Sequence, residues 1–385
     1  RIYFVCIRKD IYQDKDVELI HPKIDSIDFK SFLDKKEDIP EKYFIKGDIL
    51  DCLNAWEEMI PVFEVEEKIS PTIMVNEFNS EYTDEEFNAL AKWKQDYITK
   101  NKPLYEKYKD QWDTWYEKHK SILTKREIYG KLEWQVGKIK PNDSIFNYFI
   151  QIRQSGIRVK KRKYFPTLVA ISQIPIYGGE KRYITPKGCL RLQSFPDSYR
   201  FLGSKAAIYK QIGNAVPPLL GYVISKHLSK YIKGKAFIDL FAGAGGLSDG
   251  FRMSGLKPIA AIEMEKHYFD TYIENLQSKS TDGFIHGDIC EQKNQNTIVD
   301  IASTHKTEII SGGPPCQGFS LAGWFNKDDL RNQLFKEFVK LAARISPKFF
   351  IMENVLGILS MDNGEFIKKI MSEFEAIGYH VNVPW

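Results

Sequence analysis

Short apolar runs, each followed at once by a turn of small or polar residues, recur in the second half of the chain. The runs cover residues 236–241, 258–262, 308–310 and 348–351, and apart from Asp239, Glu308 and Lys348 they are apolar throughout rather than alternating. That pattern is typical of strands buried on both faces of a parallel sheet. With the helical pattern of residues 247–253 after the first turn, it predicts an α/β fold built on a doubly wound, mostly parallel sheet. Ligands of such a sheet bind at the carboxyl ends of its strands.

The middle of the chain has a helical pattern instead. Thr83-Asp84-Glu85-Glu86 has the form of a capping box, and it predicts a helical stretch that is broken at Pro103 and extends towards Tyr129. The aromatic residues of this stretch recur near helical spacing, so we interpret them as a packing face, with base stacking as the alternative. They are Trp93, Tyr97, Tyr105, Tyr108, Trp112, Trp115 and Tyr116. A further helix is expected over residues 211–230, packed beside the first buried strand.

Cationic residues cluster between Gln151 and Lys163, where six of thirteen residues are Arg or Lys. Gln and Ser lie between them, and Gly156 permits a turn. Such a mixture suits contacts to phosphates together with hydrogen bonds to base edges, and a solvated basic surface is the alternative. The clustering matters because the net charge of the whole chain is only +4.

Composition narrows the class of protein. A chain of 385 residues can bury sizeable cores and should form two domains. No apolar stretch approaches the roughly 18 residues of a membrane span and no signal peptide is visible, so we expect a cytoplasmic protein without a membrane partner. The five cysteines show neither the paired spacing of a metal site nor a disulfide framework, and no metal is predicted.

The turn at residues 242–246, Ala-Gly-Ala-Gly-Gly, has the form of a nucleotide-binding turn between a strand and a helix. Twenty positions after Gly243, Glu263 ends the second strand, where a carboxylate would reach ribose hydroxyls. Ser248 stands where a dinucleotide fingerprint has its third glycine, and Asp239 would repel phosphate but accept hydrogen bonds from an amino group. We therefore expect a ligand that carries a ribose and an ammonium group, with Asp288 near an adenine amine.

Cys316 lies in the sequence Gly-Gly-Pro-Pro-Cys-Gln-Gly-Phe, directly after an apolar strand. The two prolines restrict the backbone ahead of the sulfur, and the glycines allow another molecule to approach closely. This is the setting of a nucleophile. The alternative is a buried core cysteine, but a core cysteine does not need turn residues on both sides.

Taken together, these segments resemble the DNA (cytosine-5) methyltransferases. Six segments carry the resemblance: residues 237–246 look like the cofactor loop of that family, 312–319 like its catalytic block, 352–355 (Met-Glu-Asn-Val) like its glutamate block, 329–334 like a further block, and 191–197 and 211–218 like the last two blocks of an ordinary member. The resemblance covers most of the chain outside about residues 21 to 180.

The resemblance implies that S-adenosyl-L-methionine is the cofactor and that S-adenosyl-L-homocysteine is its product. The residues that it assigns to the cofactor are Phe237, Asp239, Phe241, Ala242, Gly243, Gly245, Gly246, Leu247, Glu263, Met264, Asp288, Ile289, Pro314, Leu334, Asn214 and Ala215. Residues 201–385 and the strand within residues 1–20 would form the Rossmann-like catalytic domain. Residues 21–200 would form a smaller target-recognition domain that binds double-stranded DNA. Contacts to DNA are expected from Ser320, Arg191, Arg153, Gln154, Ser155, Arg158, Lys160 and Lys161.

The chemistry of cytosine methylation gives each implied catalytic residue a task. Carbon 5 of cytosine is a poor nucleophile, and addition of the Cys316 thiolate at carbon 6 would activate it. A carboxyl group beside ring nitrogen 3 favours that addition, and Glu353 fits this role. Arg1 would hold the O2 atom of the base. Because a stacked base is out of reach, the cytosine must be flipped out of the duplex.

The order of the blocks departs from that of an ordinary member, because residues 211–218 precede the cofactor loop instead of following all the other blocks. The chain therefore resembles a circularly permuted member, and residues 1–8 look like the strand that follows residues 380–385 and pairs with them. Only Arg1 remains of the family's Gln-x-Arg-x-Arg block. Missing residues, a processed end or a complementary second chain would each explain this, and the first or the last would supply the rest of the block.

Three functions are open at this point. The first is a prokaryotic, site-specific DNA methyltransferase that protects DNA in a restriction-modification system. The second is an RNA cytosine-5 methyltransferase, for which a much smaller recognition insert is expected. The third is a DNA-binding regulator that keeps the fold without turnover, against which Cys316 and Glu353 argue. An amino-methylating enzyme is disfavoured because its Asp/Asn-Pro-Pro-aromatic loop is absent from the sequence.

Overall fold

The structure, a computed structural model, describes residues 2–12, 28–69, 72–78, 81–161, 165–168, 174–276, 282–315 and 334–382. The chain divides into two compact units. The split unit combines Arg1–Ser26 with Leu190–Trp385, and the middle unit is Ile27–Cys189. The sequence predicted domain borders after residues 20 and 200.

The strands and helices of the described residues are numbered in chain order. The strands are β1 (Ile2–Arg8), β2 (Ile73–Met74), β3 (Lys131–Gln135), β4 (Phe149–Arg153), β5 (Gly156–Lys160), β6 (Ile176–Tyr177), β7 (Arg182–Tyr183), β8 (Ala236–Leu240), β9 (Lys257–Glu263), β10 (Phe284–His286), β11 (Ile309–Gly312), β12 (Phe349–Asn354) and β13 (Tyr379–Asn382). The helices are α1 (Asp48–Met59), α2 (Val75–Phe78), α3 (Asp84–Ala89), α4 (Lys92–Lys107), α5 (Lys109–Leu123), α6 (Pro186–Leu192), α7 (Lys205–Asn214), α8 (Pro218–Leu228), α9 (Gly246–Met253), α10 (Lys266–Leu276), α11 (Gln292–His305), α12 (Leu334–Ile345) and α13 (Glu365–Ala376).

The split unit is built on one large sheet. Within the described ranges its seven strands lie in the order β10-β9-β8-β11-β12-β1-β13. Neighbouring strands from β10 to β12 are parallel, and β1 is antiparallel to both β12 and β13. The chain runs outwards from β8 to β10 on one side and continues on the other side from β11. The predicted doubly wound, mostly parallel sheet is therefore confirmed.

Helices cover both faces of this sheet. Successive residues of a strand point to opposite faces, so neighbouring residues belong to different cores. Ile238 and Ile310 belong to a core with residues of α11, α12 and α13. Their neighbours Phe237 and Ile309 belong to a second core with residues of α8 and α9. Each strand is thus apolar on both sides, which explains the continuous apolar runs in the sequence.

The first strand of the chain lies near the edge of the sheet. Val5 pairs with Asn382 and Arg8 pairs with Tyr379, so the predicted pairing of the two chain segments is confirmed for β1 and β13. On its other side β1 pairs with β12, where Tyr3 lies opposite Glu353. The strand that begins the described chain therefore supports the strand that carries the predicted catalytic glutamate.

The single helix predicted over residues 211–230 is wrong. The structure has two helices there, α7 ending at Asn214 and α8 beginning at Pro218. Ala215 has extended backbone angles (φ −61°, ψ 145°), and Pro217 precedes the second helix. A proline lacks the N–H that a continuous helix needs and favours extended geometry in the residue before it, so the two consecutive prolines separate the helices.

The middle unit has its own sheet, with described strands in the order β2-β3-β5-β4-β6-β7. Helices α1 and α5 contribute Trp56, Trp112 and Trp115 to the core on one face of this sheet. The predicted packing role is confirmed for the aromatic residues that this core buries, whereas Trp93 is 57% exposed. The capping box at Thr83 is confirmed by its reciprocal hydrogen bonds.

The predicted helix break at Pro103 is wrong. Pro103 lies inside α4, which continues to Lys107, and the chain leaves the helical conformation at Tyr108 (φ −118°, ψ 25°). Ile98 and Leu104 of α4 are buried, and their burial offsets the hydrogen bond that a proline removes from a helix. Among the described residues, no helix has the length and apolar character that a membrane crossing requires.

Candidate functional site

The carboxyl ends of the parallel strands meet at one edge of the split unit, and most of the predicted site residues follow these ends. The glycine turn follows β8, Glu263 ends β9, and Asp288 comes shortly after β10. Residues 313–315 follow β11, and Glu353 lies in the last part of β12. Residues from distant parts of the chain are thereby brought to a single edge, which is where sheets of this class bind their ligands.

The glycine turn, residues 242–246, is held to the next strand by a carboxylate. The Gly243 N–H donates to Glu263 Oε2 at 2.8 Å, and the Glu265 N–H donates to Glu263 Oε1 at 2.8 Å. Burial raises the pKa of Glu263. Since each carboxylate oxygen has two lone pairs, both oxygens keep an acceptor position for a further donor such as a ribose hydroxyl.

The turn demands unusual backbone angles. Phe241, Gly243 and Gly245 all have positive φ, at 58°, 55° and 84°. Glycine adopts such angles without strain, but phenylalanine does so at a cost. Strained non-glycine residues cluster at functional sites, which makes Phe241 a marker of this turn.

The glycines of the turn have different surroundings. A Cβ atom at Gly243 would meet only the Tyr268 ring among the described residues, at 4.0 Å. A Cβ at Gly246 would lie 2.1 Å from the Val216 carbonyl oxygen, and one at Gly245 would also clash with its neighbours. Gly243 therefore leaves space for a ligand, whereas Gly245 and Gly246 allow the protein to pack closely. The predicted cofactor contacts of all three glycines stay predictions.

Tyr268 is a site residue that the sequence analysis missed. Its hydroxyl accepts a hydrogen bond from Asn214 Nδ2 at 2.7 Å, and its ring is the nearest group to the open side of Gly243. Burial raises the pKa of Tyr268. Asn214 is thus beside the glycine turn as predicted, while its neighbour Ala215 is buried. No motif marks Tyr268, although it lies near the start of the helix after Glu263.

Asp239 is hydrogen-bonded within the protein, and its predicted contact to the cofactor stays a prediction. It is 2% exposed, and its carboxylate accepts hydrogen bonds from the hydroxyls of Ser248 and Ser311. Burial raises the pKa of Asp239 to about 7. The Ser248 hydroxyl also contacts the Tyr272 hydroxyl, at 2.8 Å. The interior of the protein therefore already supplies the donors that the sequence analysis assigned to a ligand.

Three other predicted cofactor residues belong to the cores. Phe237 is fully buried at the start of β8, edge-on to Phe251 and away from the carboxyl edge. Leu247 and Ile289 are also buried in core clusters. Their side chains fill the space between sheet and helices, so a contact to the cofactor would have to come from their backbone, and the predicted contacts stay predictions.

The remaining predicted cofactor residues lie on the edge or close to it. Met264, directly after Glu263, is 61% exposed. Asp288 Oδ1 accepts the Cys290 N–H at 2.8 Å. Ala242 is buried within the glycine turn, and Leu334 is half-buried at the start of α12.

The base of the predicted catalytic loop packs against the glutamate strand. Gly312 is opposite Met352 in the parallel pair β11 and β12, so the residues that follow each strand are neighbours. A Cβ at Gly313 would lie 2.8 Å from Glu353 Oε2, so a larger residue there would push this carboxylate away from its present position. Asn354 Nδ2 donates to the Pro314 carbonyl oxygen at 3.4 Å. Glu353 itself is 7% exposed.

Three predicted functional residues lie outside the described residues: Arg1, Cys316 and Ser320. Their roles stay predictions. The described residue nearest to Cys316 is Pro315, which is half-buried. The structure therefore places the start of the loop beside Glu353 and leaves the thiol position open.

The cationic segment forms a hairpin in the middle unit. Gln154 and Ser155 are exposed in the turn between β4 and β5, and Lys161 is exposed just after β5. Arg158 Nε donates to Glu133 on β3. Burial lowers the pKa of Arg153 and of Lys160, and the nearby Arg158 guanidinium lowers both further.

The cations of strands β4 and β5 lie on one face of the sheet. Gln151 lies opposite Arg158, and strand alternation puts Arg153 and Lys160 on the same side. We call these four residues, with Glu133, the polar face of the middle sheet. The sequence predicted the cluster but not the carboxylate inside it, because Glu133 is 25 residues from Arg158.

Arg191 is paired within the protein. Its Nε donates to Asp197 Oδ1 at 2.6 Å, and its Nη2 donates to Asp197 Oδ2 at 2.7 Å. Such two-point pairs have a fixed geometry. A phosphate would have to compete with this carboxylate for Arg191, and the predicted contact to the DNA backbone stays a prediction.

The sheet order, the glycine turn bonded to an acidic residue on the next strand, and the proline loop beside a buried glutamate together define a Rossmann-like enzyme site. The sequence model of the C-5 cytosine-specific DNA methylase family matches residues 1–230 and 235–384. The chain belongs to that family.

Individual relatives match part of the chain. The Type II methyltransferase M1.HphI of Haemophilus parahaemolyticus is 40% identical over 169 residues, which are 42% of this chain and 44% of that protein. The Type II methyltransferase M.DdeI of Desulfomicrobium norvegicum is 44% identical over 149 residues, 38% of this chain and 34% of that protein. The alignments therefore span less than half of either relative.

A solved structure described as a prophage-encoded DNA modification methyltransferase of E. coli is 31% identical. The similarity covers 37% of this chain and 38% of that one, with a TM-score of 0.28. A score of that size carries no argument about the fold, which rests on the sheet described above.

Proposed function

We propose that the protein is a site-specific DNA (cytosine-5) methyltransferase that protects DNA in a restriction-modification system. The observation that carries the proposal is the packing of Gly313 and Pro314 against the buried Glu353 and Asn354 at the carboxyl edge of the sheet. This edge belongs to a chain of the C-5 cytosine-specific DNA methylase family. Two Type II methyltransferases among its relatives support the restriction-modification context.

We propose S-adenosyl-L-methionine as the methyl donor, and the residues of the edge fit it. Gly243 leaves open space on its Cα side, as a close ligand contact requires. Glu263 has acceptor positions for ribose hydroxyls, and Asp288 lies after the neighbouring strand for the adenine amine. Asn214 and Tyr268 border the same turn. When bound there, the donor supplies an electrophilic methyl group.

The catalytic roles follow from the chemistry of the base. Cys316 adds as a thiolate to carbon 6 of the flipped cytosine, and Glu353 holds the proton at ring nitrogen 3. Carbon 5 is thereby made nucleophilic and accepts the methyl group. Loss of the carbon 5 proton to a base and elimination of the Cys316 thiolate restore the aromatic ring. Burial of Glu353 keeps water away from the proton that it shares with the base.

The middle unit is proposed to bind duplex DNA through the β4–β5 hairpin. Gln154 and Ser155 in its turn are exposed, as groups that read base edges must be. The cations Arg153, Arg158 and Lys160 would bind phosphates and fix the register on the duplex. The size of this unit favours a DNA methyltransferase over an RNA methyltransferase, for which a much smaller insert is expected.

We further propose that the chain is a circularly permuted member of its family. The block at residues 211–218 precedes the cofactor turn in the sequence, and β1 fills the position between β12 and β13 in the sheet. A sheet can keep the same strand neighbours in a different chain order, because its core depends on which strands pair and not on where the chain is cut.

Transfer of a tritiated methyl group from S-adenosylmethionine to duplex DNA tests the function, and bisulfite sequencing locates the product. We expect label in DNA at one short sequence context. The Cys316→Ser variant should lose transfer, whereas Cys290→Ser should keep it, because Cys290 is exposed on another loop. DNA with 5-fluorocytosine at the target should trap a covalent adduct with the wild-type protein, since fluorine does not leave as a proton does.

Two outcomes would contradict the proposal. Robust transfer by Cys316→Ser would exclude the thiolate mechanism. Label incorporated into RNA but not into duplex DNA would favour the RNA methyltransferase instead.

A further inference from the structure

We propose that Asp239 is a positioning residue that couples the cofactor turn, residues 242–246, to the cysteine loop that follows β11. The inference rests on the proposed function, because it concerns how the two halves of that site are held in register. It adds a residue that touches neither ligand directly but is bonded to the segments that hold both.

The two loops are connected through one carboxylate. Ser248, in the first turn of the helix after the cofactor turn, donates to Asp239 Oδ2. Ser311, one residue before the Gly-Gly-Pro-Pro sequence, donates to Oδ1 at 3.3 Å and is the register partner of Asp239 in β11 and β8. A shift of either loop therefore changes the bonding available to the other.

The connection is fully buried. Ser248 and Ser311 are both 0% exposed, and Asp239 is 2% exposed. Water has no access to replace a lost hydrogen bond there, and such bonds are stronger in the interior than at the surface. The carboxylate is bonded to neutral hydroxyls, so the cost of burying it raises its pKa to about 7.

The segments on either side of Asp239 have little freedom to move independently. A Cβ at Gly312 would lie 2.0 Å from the Leu240 carbonyl oxygen, so β11 is pressed against β8 where the cysteine loop begins. On the other side, Tyr199 Oη donates to the Ala244 carbonyl oxygen at 2.6 Å and holds the cofactor turn. Asp239 lies between these two close contacts.

A purely structural role is the competing explanation. In that case removal of either serine hydroxyl would lower the stability of the fold without linking the two loops. Coupling predicts a crossed effect instead: a change beneath the cysteine loop alters cofactor binding, and a change beside the cofactor turn alters the reaction of the cysteine.

The test uses Ser311→Ala and Ser248→Ala in the full chain, with Ser225→Ala as the matched control. Ser225 is also 0% exposed, and its hydroxyl bonds only to backbone carbonyl oxygens among the described residues. The dissociation constant of S-adenosylmethionine is measured by calorimetry without DNA. Addition of Cys316 is measured without cofactor, as release of tritium from carbon 5 of cytosine in duplex DNA.

We expect Ser311→Ala to weaken cofactor binding about fivefold and Ser248→Ala to slow tritium release about fivefold, the lower range of measured couplings. Asp239→Asn keeps the size of the side chain and should show both effects at once. Ser225→Ala should lower thermal stability comparably and leave both measurements unchanged. Equal results for all three serine variants would overturn the coupling. Wild-type protein that neither binds S-adenosylmethionine nor releases tritium would overturn the proposed function, and the coupling with it.

Discussion

The carboxyl edge of the split unit and the polar face of the middle sheet differ in how far their buried polar groups are hydrogen-bonded within the protein. At the edge, the carboxylates of Asp239 and Glu263 accept hydrogen bonds from hydroxyls and backbone N–H groups of the same chain. On the polar face, Arg153 Nη2 donates to Gln151 Oε1 at 3.0 Å, but Gln151 Nε2 and Arg153 Nε are buried and have no hydrogen-bond partner among the described residues. Around them three cations surround the single carboxylate of Glu133.

The difference indicates which surface already has hydrogen-bond partners for its buried polar groups and which needs partners from another molecule. Groups with internal partners are preorganised, and a preorganised environment is what stabilises charge during catalysis. A buried donor without a partner costs about 1–3 kcal/mol, and desolvated neighbouring cations add repulsion. The polar face therefore gains when acceptors arrive from outside, which under the proposed function are the phosphates and bases of DNA.

The largest expected effect concerns Glu353 at the edge. Glu353→Gln keeps the shape beside Gly313 but removes the transferable proton, so the single-turnover rate of methyl transfer should fall by roughly 10²–10⁴-fold. Thermal unfolding should change little. The control Glu365→Gln, at the start of α13, should transfer at the wild-type rate. A Glu353→Gln variant with wild-type kinetics would show that Glu353 takes no part in the reaction.

The second effect concerns the packing of the cofactor turn. Gly246→Ala places a Cβ 2.1 Å from the Val216 carbonyl oxygen. Backbone must move to relieve this clash, so the free energy of unfolding in urea should fall by roughly 3 kcal/mol. Gly234→Ala, whose Cβ would meet only the Glu308 side chain at 3.3 Å, should change it by less than about 0.5 kcal/mol. Equal values for the two variants would show that the turn is loosely packed.

The third effect is a pH dependence caused by Asp239. Its ordinary pKa of 3.8 applies in the unfolded chain, whereas burial raises the pKa to about 7 in the folded protein. Between these values the folded state keeps a proton that the unfolded state has lost, so this contribution to stability is greatest at low pH and declines as pH rises to about 7. The slope is at most roughly 1.4 kcal/mol per pH unit.

Urea unfolding of wild type and Asp239→Asn over this pH range measures the effect. The stability of the wild type relative to the variant should decline as pH rises and level off above about pH 7. A difference that does not vary with pH would mean that Asp239 is ionised in the folded protein even in mild acid.

The smallest effect concerns the polar face. Arg153→Gln should weaken binding to duplex DNA by roughly tenfold. It should also reduce the slope of the logarithm of the binding constant against the logarithm of salt concentration by about one. The same change should alter folding stability little, because loss of the hydrogen bond from Arg153 Nη2 to Gln151 Oε1 is offset by removal of a desolvated cation next to Arg158. Lys100→Gln, an exposed charge on α4, serves as the control for net charge. If Arg153→Gln destabilised the protein and left DNA binding intact, the contrast between the two surfaces would not hold.

The sequence by itself determined the class of fold, the strands of the large sheet and the turns that follow them. Continuous apolar runs, the glycine turn and the proline–cysteine segment are local patterns, and local patterns decide local structure. The pairing of β1 with β13 was also predictable from the order of the blocks. The family resemblance also followed from local sequence, because its segments combine residue types that are rarely found together.

Only the tertiary structure decided which of the predicted site residues are bonded to or packed against other parts of the protein. Gly246 is opposite Val216, and Asp239 is bonded to Ser311, 72 residues away. The predicted helix is split at residues 215–217 by consecutive prolines, a local signal that could have been recognised in the sequence. The continuation of α4 through Pro103, in contrast, depends on burial against distant residues. Contacts between residues far apart in the chain leave no periodic signal, and for that reason the roles of Asp239, Gly245 and Tyr268 became visible only in the folded molecule.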